Sequence, residues 1–194
     1  MSATPSQPDI LRPYLSDLVA LEKTILEAVE KQRADERVQA DPRTAALVER
    51  IYSTTSVRLR TVEEHAAAFG AEKAAAIKGA VASVAGTVAG VYDLLRKHPV
   101  SRMLRDDYTA LSLSAIGHSM LHTTGLTLRD LPIANIGLRH LREIAPLIME
   151  LSDVIPAVVV RELVEDDPML DPTVAEVARE NVRNAWMNSA EQTS

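Results

Sequence analysis

The chain has no cysteine among its 194 residues, which excludes disulfides, thiolate nucleophiles and cysteine-bound zinc. Aromatic residues are scarce: one Trp, one Phe and four Tyr make up 3% of the chain, a thin lining for a large flat ligand. A basic excess is lacking too, since 21 Lys and Arg face 27 Asp and Glu, a formal net charge of −6. A protein that binds nucleic acid without regard to sequence needs a basic face to displace counterions, so that class is set aside. No stretch alternates apolar and polar residues between hairpin turns, which removes the signal for strands. Gly79, Gly86 and Gly90 fall in a helix-like run, not in a phosphate-cradling loop. Ser112, Ser114 and Ser119 sit in a helical interior with no elbow and no charged orienter, so nucleophilic serine chemistry has no support.

Charge is unevenly placed. Met1 to Arg161 balances nineteen acidic against nineteen basic residues, whereas Glu162 to Ser194 sets eight acidic residues against Arg179 and Arg183. The expectation is a neutral bundle with an acidic tail, a solvated surface or a docking arm for a protein partner. The only membrane-like run, Ala74 to Leu95, contains Lys78 and Asp93 and is mostly Ala, Gly and Val. Its transfer energy is too small for insertion, so it reads as a closely packed internal helix and no membrane is expected. Met1 to Pro8 lacks the basic and apolar regions of a secretory leader, and cytoplasmic residence is the expectation.

What is present is helical periodicity. A first helix from about Pro8 to Val38 carries Leu11, Leu15, Leu18, Leu21, Ile25 and Val29 on one face, with Glu22 among them. A carboxylate there loses hydration and requires a cation, a metal or hydrogen-bond donors. Asp41 before Pro42 predicts an N-cap and a second helix ending near Gly70, with Val48, Ile51, Thr55, Leu59, Val62 and Ala66 inward. Arg58 flanks that stripe as an ion-pair partner for Glu22. The Glu63-Glu64-His65 triplet points three ways around a helix and reads as an exposed patch.

A third helix is expected over Ala71–Lys97, ended by His98-Pro99. A fourth, capped by Ser101, carries Leu104, Tyr108, Leu111, Ala115, His118 and His122 on its buried side. A fifth, begun at Asp130, carries Ile133, Ile136, His140, Ile144, Leu147 and Leu151, with kinks or breaks expected at Pro146 and Pro156. Folded as a hairpin, these two runs bring His118 or His122 level with His140. Three imidazoles in one seam either ligate a metal or are core histidines bonded to hydroxyls or water. Asp171-Pro172 predicts a last helix to about Asn188, with Trp186 holding it to the bundle. The domain reading is a disordered 1–9, a helical bundle over 10–165 and an acidic helix and tail over 166–194.

The segment Tyr14–Glu30, YLSDLVALEKTILEAVE, resembles the first helix of the ferritin-like stress proteins of the YciE/YciF type. Helix order and lengths extend the resemblance over about Leu11 to Leu163. In that family the glutamate before the lysine is a metal ligand, and it falls on Glu22. The family's Glu-x-x-His pair falls on Tyr52 and Thr55, its Glu-His dipeptide near His118-Ser119, and its last glutamates on His140 and Glu143. The resemblance implies an all-α, ferritin-like antiparallel four-helix bundle with additional helices and a degenerate di-metal site. A di-iron site needs several converging carboxylates, and only Glu22 and Glu143 could serve. The functional expectation is a non-catalytic binding, scaffold or stress-protection protein without a cofactor. Two alternatives stand beside it. One is a remodelled iron or manganese site at Glu22, His118, His122, His140 and Glu143, able to support redox or hydrolytic chemistry. The other is an apolar or heme-like ligand held between the helices. Surplus apolar surface on the third and fifth helices makes a homodimer the expected assembly.

Overall fold

The computed structural model describes residues 6–70 and 99–191. Within them are six helices and no strand: α1 Gln7–Arg33, α2 Glu36–Gln39, α3 Pro42–Ala68, α4 Val100–Thr127, α5 Leu131–Asp166 and α6 Val174–Glu191. The all-α expectation therefore holds for the described residues. The helix expected over Ala71–Lys97, with its glycines and the His98 terminus, lies outside them.

Capping chemistry sets several boundaries. Asp9 accepts from the backbone amide and the hydroxyl of Ser6, which starts α1 at Gln7 and makes residues 7–9 helical instead of disordered. The first helix was expected to continue to Val38, but it ends at Arg33. Asp35 takes the Arg37 amide at 2.9 Å and begins the one-turn α2, so a second cap interrupts the run. Asp41 caps α3 by accepting the Thr44 amide at 3.0 Å. At the other end Gly70 adopts φ 68, the left-handed conformation that closes a helix. Ser101 does not cap α4: Pro99 holds the cap position, and Glu162 of α5 accepts the Ser101 amide at 3.0 Å. Nor do the prolines divide the fifth run. Pro146 and Pro156 both lie inside one 36-residue helix. The carbonyl that Pro146 leaves without an amide belongs to exposed Arg142, within reach of water.

Contacts between helix ends give their directions. Gln7 reaches Asp130 at 2.7 Å and Arg12 reaches the Phe69 carbonyl at 3.3 Å. At the opposite end Gln32 meets Asp107 at 2.9 Å and Arg33 meets Glu49 at 2.6 Å. Hence α1 runs antiparallel to both α3 and α4, and α3 and α4 share a direction. Arg43 and Arg50 of α3 pair with Asp153 and Glu150 of α5, which runs antiparallel to both. Gly70 and Pro99 therefore lie at opposite ends of the bundle. Among the described residues no helix is long and apolar enough to cross a membrane.

The interior is divided into two apolar clusters. One gathers Leu11, Leu15, Leu18, Val62, Leu121 and Ile133; the larger one includes Ile25, Val48, Ile51, Leu111, Ile144 and Leu151. Between them, one turn deep on each long helix, lies a layer of polar side chains.

Candidate functional site

Helical period places each member of that layer. Glu22 occupies the position between Leu18 and Ile25 on α1, Thr55 and Arg58 follow Ile51 on α3, and Ser114 and His118 follow Leu111 on α4. His140 lies one turn before Ile144 on α5. All six are buried, with Glu22, Arg58 and His118 at 0% exposure. Close approach of α4 and α5 makes the last contact. A Cβ on Gly137 would lie 2.6 Å from the His122 amide nitrogen and 2.7 Å from the His118 carbonyl oxygen. Only a residue without a side chain lets the backbones meet there, and His140 follows three positions on.

The carboxylate of Glu22 is the centre. Arg58 donates through Nε to both oxygens at 3.3 Å and through Nη2 to Oε2 at 3.1 Å. The Ser114 hydroxyl donates to Oε1, and His118 donates to the same oxygen through Nε2 at 3.1 Å. Arg58 Nη2 is anchored in turn by donating to the Thr55 hydroxyl at 2.8 Å. Burial by itself would raise the Glu22 carboxyl, but the Arg58 guanidinium and the His118 ring outweigh it and hold the group down at about 2. Glu22 is thus a permanent anion with donors on both oxygens.

His140 does not reach the carboxylate. Its ring meets His118 edge to face, with centroids 4.7 Å apart and planes at 88°. Burial first, then the nearby His118, Arg139 and Arg58, push its pKa down to about 3, so it is a neutral imidazole in the core. Among the described residues, the Nδ1 atoms of both rings and Nη1 of Arg58 have no protein partner.

The other sequence-selected residues fall elsewhere. His122 is half-buried and donates through Nδ1 to the Ala134 carbonyl at 2.7 Å, which commits its ring to the α5 backbone. Glu143 is partly exposed and lines a surface depression of about 510 Å³ with Asn135, Ile136, Leu138, Arg139 and Arg142. The five residues of the expected metal set are therefore not brought together. Among the described residues no group of three such side chains is arranged to hold a metal ion. In this donor set the place beside the carboxylate is taken by a guanidinium, which carries the charge a cation would supply. Glu63 and Glu64 are exposed and His65 donates to the Thr61 carbonyl at 2.7 Å, in keeping with a solvated patch.

Three polar features were not selected from the sequence. Ser114 joins the Glu22 layer because it stands four residues before His118, a spacing that was available as a signal. Gln32 and Asp107 meet in the buried end of the α1 and α4 interface, joined by a hydrogen bond of 2.9 Å. Asp153 on α5 receives Arg43 from α3 and both Arg179 and Arg183 from α6. Arg179 and Arg183 tie the last helix to α5 through Asp153, and Trp186, 47% exposed, lines a crevice with Met149 and Ser152 of α5 beside them.

Fold and site together define, among the described residues, an all-helical bundle with an internal ion-pair layer. No protein family, curated protein or solved structure matches the chain.

Proposed function

We propose that this protein is a ferritin-like helical bundle with a degenerate di-metal position, and that it works as a binding or scaffold protein, not as a catalyst. The observation that carries the reading is the saturation of Glu22 by Arg58, Ser114 and His118 in a layer with no solvent exposure. A carboxylate in that state has no lone pair free for a metal and no path to a dissolved substrate. Topology adds support. The second and third long helices, α3 and α4, run in the same direction, and residues 71–98 join opposite ends of the bundle, as in ferritin-like folds with one long crossover.

The competing reading, a remodelled iron or manganese site, draws on the clustering of Glu22, His118 and His140. It requires Arg58 to swing away and leave its charge elsewhere in a dry core, which is unfavourable. Elemental analysis of the protein purified without an affinity tag, after growth with iron, manganese and zinc, separates the two. The expected result is less than about a tenth of an equivalent of any metal. About one equivalent that disappears in the His118→Ala, His140→Ala double variant would overturn the scaffold reading.

A further inference from the structure

The elbow between α5 and α6 joins exposed apolar side chains to a run of acidic ones. Leu163, Leu170, Val174 and Val177 are exposed, and Met169 is 91% exposed. Glu165, Asp166, Asp167 and Asp171 are interleaved with them. From Glu162 onward the only cations in the sequence are Arg179 and Arg183, and both are turned onto Asp153, at 3.3 and 2.7 Å. The segment that presents the apolar groups is held by its own hydrogen bonds: Asp167 accepts the Met169 amide at 3.0 Å, and Asp171 accepts the Thr173 amide at 2.8 Å. Beside it lies a groove of about 520 Å³ whose walls include Pro99, Val100, Glu162, Glu165 and Asp166. Arg37 and Arg161 line the same groove; they pair with Asp35 and Asp41, and Arg37 also feels the charge of Glu162, so Glu165 and Asp166 carry the acid of the elbow.

We propose that this elbow docks a basic amphipathic polypeptide segment, a helix with Lys or Arg beside apolar anchors, as a refinement that rests on the binding-protein reading above. Met169 and Leu170 give the apolar contact, and Glu165 and Asp166 give the complementary charge. Charge selects the occupant. A second copy docked through the same surface about a two-fold axis would set acid against acid. Nucleic acid and anionic lipid surfaces are repelled for the same reason.

The test uses the full chain and fluorescence anisotropy of a labelled Lys/Leu peptide designed as an amphipathic helix, beside the same peptide with every Lys replaced by Glu. Saturable binding of the first peptide alone is expected, weakening with added salt. The Met169→Ser, Leu170→Ser pair and the Glu165→Gln, Asp166→Asn pair should each weaken it about tenfold. All four side chains are exposed, so the helical circular dichroism of both variants should match the parent. Absence of binding, equal binding of the two peptides, or indifference to both variants overturns the proposal. So does a dimer in sedimentation that the Met169→Ser, Leu170→Ser pair abolishes, since that assigns the elbow to a second copy. Metal content is read on the same preparation. Metal-loaded protein that binds the peptide overturns the scaffold reading alone, and metal-free protein that ignores it overturns the docking surface alone.

Discussion

Glu22 and Arg58 show how a buried charge is tolerated. Neither is exposed, and each supplies what the other lost on leaving water. Such pairs contribute little net stability, because desolvation consumes most of the Coulombic gain, yet breaking one leaves an uncompensated ion in the core. Glu22→Leu and Arg58→Met are therefore each expected to cost about 3–5 kcal/mol of unfolding free energy. The Glu22→Leu, Arg58→Met double variant should lie within about 1–2 kcal/mol of the parent, because replacing a buried pair by apolar groups is close to neutral. Urea melts of all four proteins form the cycle that checks this. Additive losses would mean that the two groups do not act as a pair.

At the scale of the element, register between α4 and α5 governs the layer. Gly125 and Gly137 sit where the two helices touch backbone to backbone, and a Cβ on Gly125 would lie 2.5 Å from the Ala134 amide nitrogen. Neither neighbour is a flexible side chain that could give way. Gly137→Ala should therefore destabilise the protein by about 1–3 kcal/mol, although alanine is the better helix former by about 1 kcal/mol. Thermal melts followed by circular dichroism measure it. An unchanged or raised melting temperature would show that the two helices are not in contact at this point. The same approach explains why His118 and His140 meet: their sequence positions allow the level, and the glycine contact supplies the proximity.

For the whole molecule, the polar layer predicts acid lability. His140 titrates near 6.5 when unfolded but about 3 when folded, so the unfolded state binds the extra proton between those values. The stability that comes from keeping His140 neutral is complete above pH 6.5 and is lost as pH falls toward 3. Glu22, lowered from 4.5 to about 2, adds a loss of the same sign below pH 4.5. Unfolding free energy should fall by up to about 1.4 kcal/mol per pH unit between 6 and 4 from His140 alone. His140→Leu should flatten that slope while retaining the fold. A slope equal to the parent's in this variant would place the acid sensitivity on other groups.

Much of the architecture was legible in the chain because it is local. Caps at Asp41 and Asp130, the Gly70 terminus and the apolar stripes of α1 and α3 follow from chemistry within a few residues, and Glu22 stood out as a charge on an apolar face. Arg58 could be named as its partner on the same grounds. The sequence by itself determined helices throughout the described residues, with a charge to be satisfied in their interior. Only the tertiary structure decided how: which side chains meet depends on the register of helices far apart in the chain. That register puts Ser114 and His118 on Glu22, turns His122 to the α5 backbone and leaves Glu143 at the surface. It also gathers three arginines from two helices onto Asp153, a convergence that no local spacing encodes.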